Sequence, residues 1–176
     1  MRDRQNLPPW IGRGVQTAAL TAALMLLTGG CGESEPWDGS FSSIEALGEA
    51  AAQALSDGDA EALRGLRVNK KEYLDWIWRE FPASKPPQNF PADFAWSNLN
   101  KNSSLGERRW AERYQGKQWK FVEMRFEEPT DRYKRFKLLR GTALVLEDEN
   151  GKRYDLRILG SIVAKNGKYK LLSYKE

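Results

Sequence analysis

The apolar residues recur with two different periods along the chain. In the first half they are three or four residues apart, the spacing of one helical face, whereas from Lys117 onward they alternate with polar residues as in strands. Helices followed by an antiparallel meander of strands indicate an α+β domain, with the helices packed on the sheet. The helical spacing covers residues 44–55, 60–66, 69–81 and 93–115.

Polar residues predict where these helices begin and end. Ser42 and Glu45 form the pattern of a capping box, with Ser42 as the N-cap, and Asp59 suits the N-cap of the second helix. The third helix has apolar residues on two sides, which predicts that it is either sandwiched or has one side facing a cavity. The polar residues around Asn102 are poor helix formers and predict a break in the fourth helix.

Four strands are expected after Lys117, joined as a strongly bent antiparallel meander. In the first strand the alternation changes parity, which predicts a β-bulge near Val122. Asn150-Gly151 and Asn166-Gly167 predict tight turns. The other three strands are predicted over residues 136–147, 154–162 and 169–174.

The composition removes several kinds of chemistry. The chain has no histidine, which is the commonest metal ligand and the usual general base near neutral pH. Its single cysteine leaves no intramolecular disulfide and no cysteine-rich zinc site. The sequence also lacks a phosphate loop, a nucleophile motif and an acidic metal cluster. We therefore expect no metal and no cofactor.

The net charge of +4 is divided between two parts of the chain. Three arginines and one aspartate lie before Cys31, so 25 of the 28 basic and 23 of the 24 acidic residues belong to the remainder. The remainder is nearly balanced at +2, so we expect no nucleic-acid partner, which would need basic residues gathered on one face. The basic stretch RYKRFK, residues 132–137, is expected to protect a strand edge; a lipid or nucleic-acid patch is the alternative.

The N-terminal segment has the pattern of a secretory signal peptide. Arg2, Arg4 and Arg13 precede the uncharged stretch Val15–Leu27, and small residues follow it. This apolar stretch is shorter than the roughly 20 residues that a membrane-spanning helix needs. We therefore expect secretion and cleavage instead of a transmembrane anchor.

The residues Leu27-Thr28-Gly29-Gly30-Cys31 resemble the lipobox of bacterial lipoproteins, with Thr28 at the place where leucine is commonest. The resemblance implies that the sulfur of Cys31 receives a diacylglycerol and that the chain is cut between Gly30 and Cys31. Cys31 would then be the new N-terminus and often carry a further acyl chain. Two or three acyl chains bind a protein stably to a bilayer, whereas one binds it only marginally.

This resemblance divides the chain into three parts. They are a signal peptide over residues 1–30, a lipidated cysteine with a flexible tether over 31–40, and an α+β domain over 41–176. Gly32, instead of an aspartate, follows the lipidated cysteine. The resemblance therefore implies the periplasmic face of the outer membrane in a cell with two membranes, and otherwise the outer surface of the cell membrane.

The order of elements, with Leu55-Ser56-Asp57-Gly58-Asp59 between the first two helices, resembles nuclear transport factor 2-like proteins, also called ketosteroid-isomerase-like or cystatin-like. The resemblance covers residues 41–176. It implies a curved sheet and helices that enclose a conical pocket. Members of this fold use the pocket for catalysis, for binding small apolar molecules or for dimerisation, so fold alone does not assign the function.

Six aromatic residues are candidates to line such a pocket, and packing in the core is their alternative role. They are Tyr73, Trp76, Trp78, Trp96, Tyr114 and Tyr154. In an enzyme of this fold, Asp75 or Asp93 would act as the base beside a tyrosine. However, Arg79 follows Asp75 at ion-pair spacing, and Asp93 stands at a predicted helix start. No residue is therefore assigned a catalytic role.

We expect a membrane-bound envelope protein, held by the lipid on Cys31, whose domain binds a small apolar ligand or an envelope protein without catalysis. An isomerase or dehydratase is the alternative. A third reading is a homodimer formed through the open face of the sheet. That reading predicts apolar residues exposed on the single chain, among Phe136, Leu138, Leu144 and Leu156.

Overall fold

The computed structural model describes residues 37–175, in which helices precede strands as the sequence predicts. This order confirms the α+β class. The helices in this range are Ile44–Asp57 (α1), Ala60–Gly65 (α2), Lys70–Glu72 (α3) and Ala92–Tyr114 (α4). The strands are Lys120–Arg132 (β1), Lys137–Glu147 (β2), Arg153–Leu156 (β3), Ile162–Lys165 (β4) and Lys168–Leu171 (β5).

The strands form one curved antiparallel sheet in the order β1-β2-β4-β5, in which β3 also pairs with β2. β1 pairs with β2 along its whole length, so β3 and β4 share the other edge of β2. The bulge predicted near Val122 is confirmed by a register shift between Phe121 and Glu123. A second shift lies between Glu128 and Asp131. Such bulges increase the local twist and bend the sheet.

Gly141 allows β1 and β2 to approach closely near the second register shift. Its φ of +65° is one that residues with a side chain rarely adopt. A Cβ atom at this position would also lie only 2.8 Å from the backbone nitrogen of Glu128. Glycine is therefore required here for both conformation and space.

The prediction of four strands is wrong, because the third predicted strand is two strands, β3 and β4. Pairing with β2 stops after Leu156, and five residues, 157–161, then face four, 140–143, before β4 begins. Ile158 and Leu159 are consecutive, yet they are only 3% and 2% exposed. The side-chain alternation of one continuous strand is therefore interrupted by packing at this point.

The predicted starts of the first two helices are correct to within one residue. Ser43, and not Ser42, is the N-cap of α1, since its hydroxyl accepts the N–H of Ala46 at 3.1 Å. Asp59 caps α2 as predicted and accepts two backbone N–H groups of its first turn. These caps satisfy donors that have no partner inside the helix.

α4 runs without the break predicted near Asn102. Ser103 is buried, and its hydroxyl accepts the N–H of Tyr174 at 3.2 Å. At Gly106 a Cβ atom would lie 2.6 Å from the carbonyl oxygen of Lys175. The C-terminal segment thus packs directly on the middle of α4, and this contact outweighs the low helix propensity of the local sequence.

The third predicted helix is not a uniform α-helix. Asn69 and Glu72 form a capping box at the start of α3. The next turn, Tyr73–Ile77, is π-helical, and a 3-10 turn over Trp78–Glu80 follows it. Because a π-helical turn is wider than an α-helical one, the side chains after it point away from the faces predicted for an α-helix.

A buried ion pair joins Arg67, two residues after the end of α2, to α4. Arg67 Nε lies 2.5 Å from Glu107 Oε1, and both side chains are almost fully buried. Arg64 Nε approaches the other carboxylate oxygen at 3.2 Å, and Arg67 also donates to the side chain of Asn100. Removing one charge from such a pair leaves the other buried without compensation.

Glu107→Gln should lower the free energy of unfolding by about 3 kcal/mol, because the Arg67 charge would stay buried without its counter-ion. Urea denaturation measures this change. Glu112→Gln on the exposed side of the same helix is the matched control, with an expected change below about 0.5 kcal/mol. Equal stability of the two variants would contradict the structural role of the pair.

Candidate functional site

The chain before α1 is held against the sheet. Phe41 and Tyr169 of β5 exchange two backbone hydrogen bonds, of 2.9 and 3.0 Å. The hydroxyl of Ser40 donates to the carbonyl oxygen of Trp37. Residues 37–40, which the sequence assigns to the tether, therefore contact the domain and bring Trp37 beside α3.

A groove with a volume of about 410 Å³ lies where Trp37 meets α3 and the π-helical turn. We call it the Trp37–Trp76 groove. It combines two indoles with charged groups of both signs. The indoles are those of Trp37 and Trp76, and the charged residues of the lining include Glu72, Asp75, Arg135 and Lys165.

The two indoles meet edge to face, with ring centroids 5.4 Å apart and planes 79° apart. A lysine ammonium lies near the ring of each: Lys165 Nζ is 4.7 Å from the centroid of Trp76, and Lys170 Nζ is 5.8 Å from that of Trp37. These distances are those of cation–π contacts. The indole N–H of Trp37 is buried and hydrogen-bonds to none of the described residues.

A second buried ion pair positions these groups. Lys170 Nζ lies 2.7 Å from Glu72 Oε1, and the side chains are only 5% and 11% exposed. The other oxygen of Glu72 accepts the backbone N–H of Asn69 at 2.8 Å. Glu72 therefore connects β5 to the start of α3, and the turn that carries Trp76 follows directly.

The two candidate bases are paired and accessible to solvent. Asp75 accepts a hydrogen bond from Lys71 at 2.7 Å, which holds the pKa of its carboxyl below the usual 3.8. Its ion-pair partner is thus Lys71 instead of the predicted Arg79. Asp93 lies 2.9 Å from Lys70, and its side chain is 78% exposed. Neither carboxyl therefore has the buried, unpaired environment that a general base of this kind needs.

Four of the six predicted pocket residues lie together around the π-helical turn. Tyr73 stacks on Trp78 with centroids 5.8 Å apart and contacts Trp96 at 5.4 Å. Trp76 packs on Phe136 in the same cluster. Burial raises the pKa of Tyr73 to about 12, so its phenol stays neutral at ordinary pH.

The other two lie elsewhere in the core. Tyr114 and Tyr154 both contact the indole of Trp119, and their ring centroids lie 5.8 and 5.3 Å from its centroid. The hydroxyl of Tyr154 donates to Asp148 at 3.0 Å. The structure therefore does not bring all six together, and only Trp76 of the six lines the Trp37–Trp76 groove.

Sequence reasoning missed Trp37 and Lys165 as residues of the groove. The one available signal was an isolated tryptophan within a stretch rich in glycine, proline, serine and acidic residues. The sequence gives no such signal for Lys165, because only the fold brings this residue to Trp76.

The apolar residues named for a dimer through the sheet face are not exposed. All four are buried within the single chain: Phe136, Leu138, Leu144 and Leu156.

The predicted signal peptide, the cleavage position between Gly30 and Cys31, and the lipidation residue Cys31 lie outside the described residues. Within residues 37–175, no helix has the length and apolar character needed to cross a membrane. The same residues contain no group of three or more acidic, histidine or cysteine side chains placed to hold a metal ion.

Comparison with known proteins gave no match to a family model, to a curated protein or to a solved structure. The α+β class therefore rests on the architecture itself, and the resemblance to nuclear transport factor 2-like proteins stays a prediction.

Proposed function

We propose that the protein is a bacterial envelope lipoprotein whose α+β domain binds a small amphipathic, charged molecule in the Trp37–Trp76 groove without catalysing a reaction. The observation that carries this proposal is the joining of two indoles and fixed charges of both signs in one groove. The cone-shaped fold of nuclear transport factor 2-like proteins is part of the same proposal.

The groove has a size and chemistry that suit a small ligand. Its volume of about 410 Å³ falls within the range of small-molecule sites. Lys165 and Lys170 already lie near the indole rings, so a ligand would meet ring edges and charged groups together. This favours a molecule with both an apolar surface and ionised groups over a purely apolar one.

Catalysis has less support than binding. The enzyme alternative needs a buried carboxyl beside a phenol, whereas Asp75 and Asp93 are exposed and paired with lysines. The phenol of Tyr73 is buried in an aromatic cluster and does not line the groove. Binding requires only the arrangement of indoles and charges described above.

The lipid anchor is tested by Cys31→Ser in growing cells. We expect radioactive palmitate to label the wild-type protein and not this variant, because the thiol is the site of diacylglycerol transfer. Adding Ser34→Cys to the variant restores a thiol three residues away and should not restore labelling. Labelling that persists in Cys31→Ser would contradict the anchor.

The binding proposal is tested by mass spectrometry of small molecules that co-purify with the mature protein. A ligand held by the groove should be depleted at least about tenfold in Trp76→Leu, since an aromatic residue at the centre of a binding site contributes about 1.4 kcal/mol or more. Trp110→Leu, a half-buried tryptophan on α4, is the matched control and should retain the ligand. A set of small molecules that is identical in all three proteins would contradict the proposal.

A further inference from the structure

A basic depression with a volume of about 400 Å³ adjoins the Trp37–Trp76 groove, and Trp76 and Arg135 line both. We call it the basic surface. Its charged residues are Arg79, Glu80, Lys85, Arg132, Lys134 and Arg135. Five cations and one carboxylate give it a net charge of +4, whereas the whole chain from Cys31 onward carries only +2.

Most of this charge is not neutralised within the domain. Glu80 accepts the backbone N–H of Arg135 at 3.2 Å and lies 3.7 Å from its Nε atom. Three of the remaining cations form no ion pair with a residue in the described range: Lys85, Arg132 and Lys134. Arg79 lies near enough to Asp75 to help lower the pKa of that carboxyl. Such a concentration of unpaired basic groups attracts an anionic partner.

Two aromatic residues lie among these cations. Trp76 and Tyr133 both line the basic surface, and Tyr133 stacks on Phe136 with centroids 4.6 Å apart. Tryptophan and tyrosine are enriched at membrane–water interfaces, because each has an apolar ring and one polar group. Basic and aromatic residues together are the composition that suits a lipid headgroup layer.

Covalent geometry limits how far Trp37 can lie from the proposed lipid anchor. Five residues lie between Cys31 and Trp37, and the six Cα-to-Cα steps that join the two span at most about 22 Å. Trp37 lines the groove that shares two residues with the basic surface. A lipid on Cys31 therefore keeps this face within closer reach of the bilayer than the parts of the domain surface that lie farther from Trp37.

We propose that the basic surface docks on the anionic phospholipid headgroups of the leaflet that holds the Cys31 lipid. The proposal rests on the lipid anchor of the proposed function. Each basic residue near an anionic bilayer strengthens binding roughly fivefold. Docking would orient the domain so that the Trp37–Trp76 groove lies beside the membrane.

The experiment uses the mature lipidated protein in vesicles of phosphatidylcholine with or without phosphatidylglycerol. Lys134→Cys on the basic surface and the matched Lys101→Cys on α4 each carry a thiol-reactive fluorophore. A headgroup-linked quencher in the bilayer reports how close each fluorophore lies. Because Cys31 is the single cysteine and, in the proposed function, its sulfur carries the diacylglycerol as a thioether, only the introduced thiol should react.

We expect stronger quenching at position 134 than at 101 in anionic vesicles. The difference in quenching should vanish in vesicles of pure phosphatidylcholine. It should also vanish when the salt is raised from about 0.1 M to about 1 M, because the electrostatic screening length then falls from about 10 Å to about 3 Å. In the Lys134→Cys protein, Arg132→Glu with Arg135→Glu should lower the docked-to-undocked ratio by at least roughly 30-fold. The matched pair Arg108→Glu with Arg109→Glu should leave it unchanged.

Equal quenching at the two positions, or quenching that is indifferent to lipid charge, would overturn the docking proposal. Loss of the quenching at position 134 when a duplex oligonucleotide is added at equal phosphate concentration would overturn it in favour of a nucleic-acid surface. The salt series on the Lys134→Cys and Lys101→Cys proteins, which carry no glutamate substitution, decides the matter even if the glutamate variants fold poorly. A wild-type protein that reacts with the fluorophore would instead show a free Cys31, which is failure of the anchor and not of docking.

Discussion

The buried ion pair between Glu72 and Lys170 determines where the aromatic residues of the groove lie. A lysine and a carboxylate that are both withdrawn from water are tolerated only while they stay together. Lys170 reaches the ring of Trp37, and the second oxygen of Glu72 fixes the N–H of Asn69 at the start of α3. The position of Trp76 in the following turn therefore depends on a strand that lies nearly one hundred residues later.

The groove and the basic surface form one continuous face with two kinds of chemistry. Indoles and charges of both signs suit a small amphipathic ligand, whereas the unpaired cations beside them suit a layer of anionic headgroups. Trp76 and Arg135 belong to both regions. In the proposed function, the short segment between Cys31 and Trp37 limits how far this face can lie from the membrane.

The sequence predicts the fold class and many local features, because periodicity, caps and turns depend on neighbouring residues. It fails where distant packing decides. The helix continues through Asn102 because the C-terminal segment packs on it, and residues 157–161 leave the β-ladder where consecutive apolar side chains are buried. Likewise, the local pattern offers Trp76 as one of six candidates, whereas Trp37 and Lys165 reach the groove only through tertiary contacts.

The coupling between β5 and the start of α3 through Lys170 and Glu72 is tested most directly by a double-mutant cycle on the free energy of unfolding. Glu72→Gln, Lys170→Met and the double variant are compared with the wild-type protein by urea denaturation. A coupling energy of about 2 kcal/mol is expected, since each single variant leaves its former partner buried and unpaired. Additive effects, within about 0.5 kcal/mol, would contradict the conclusion that this pair builds the groove.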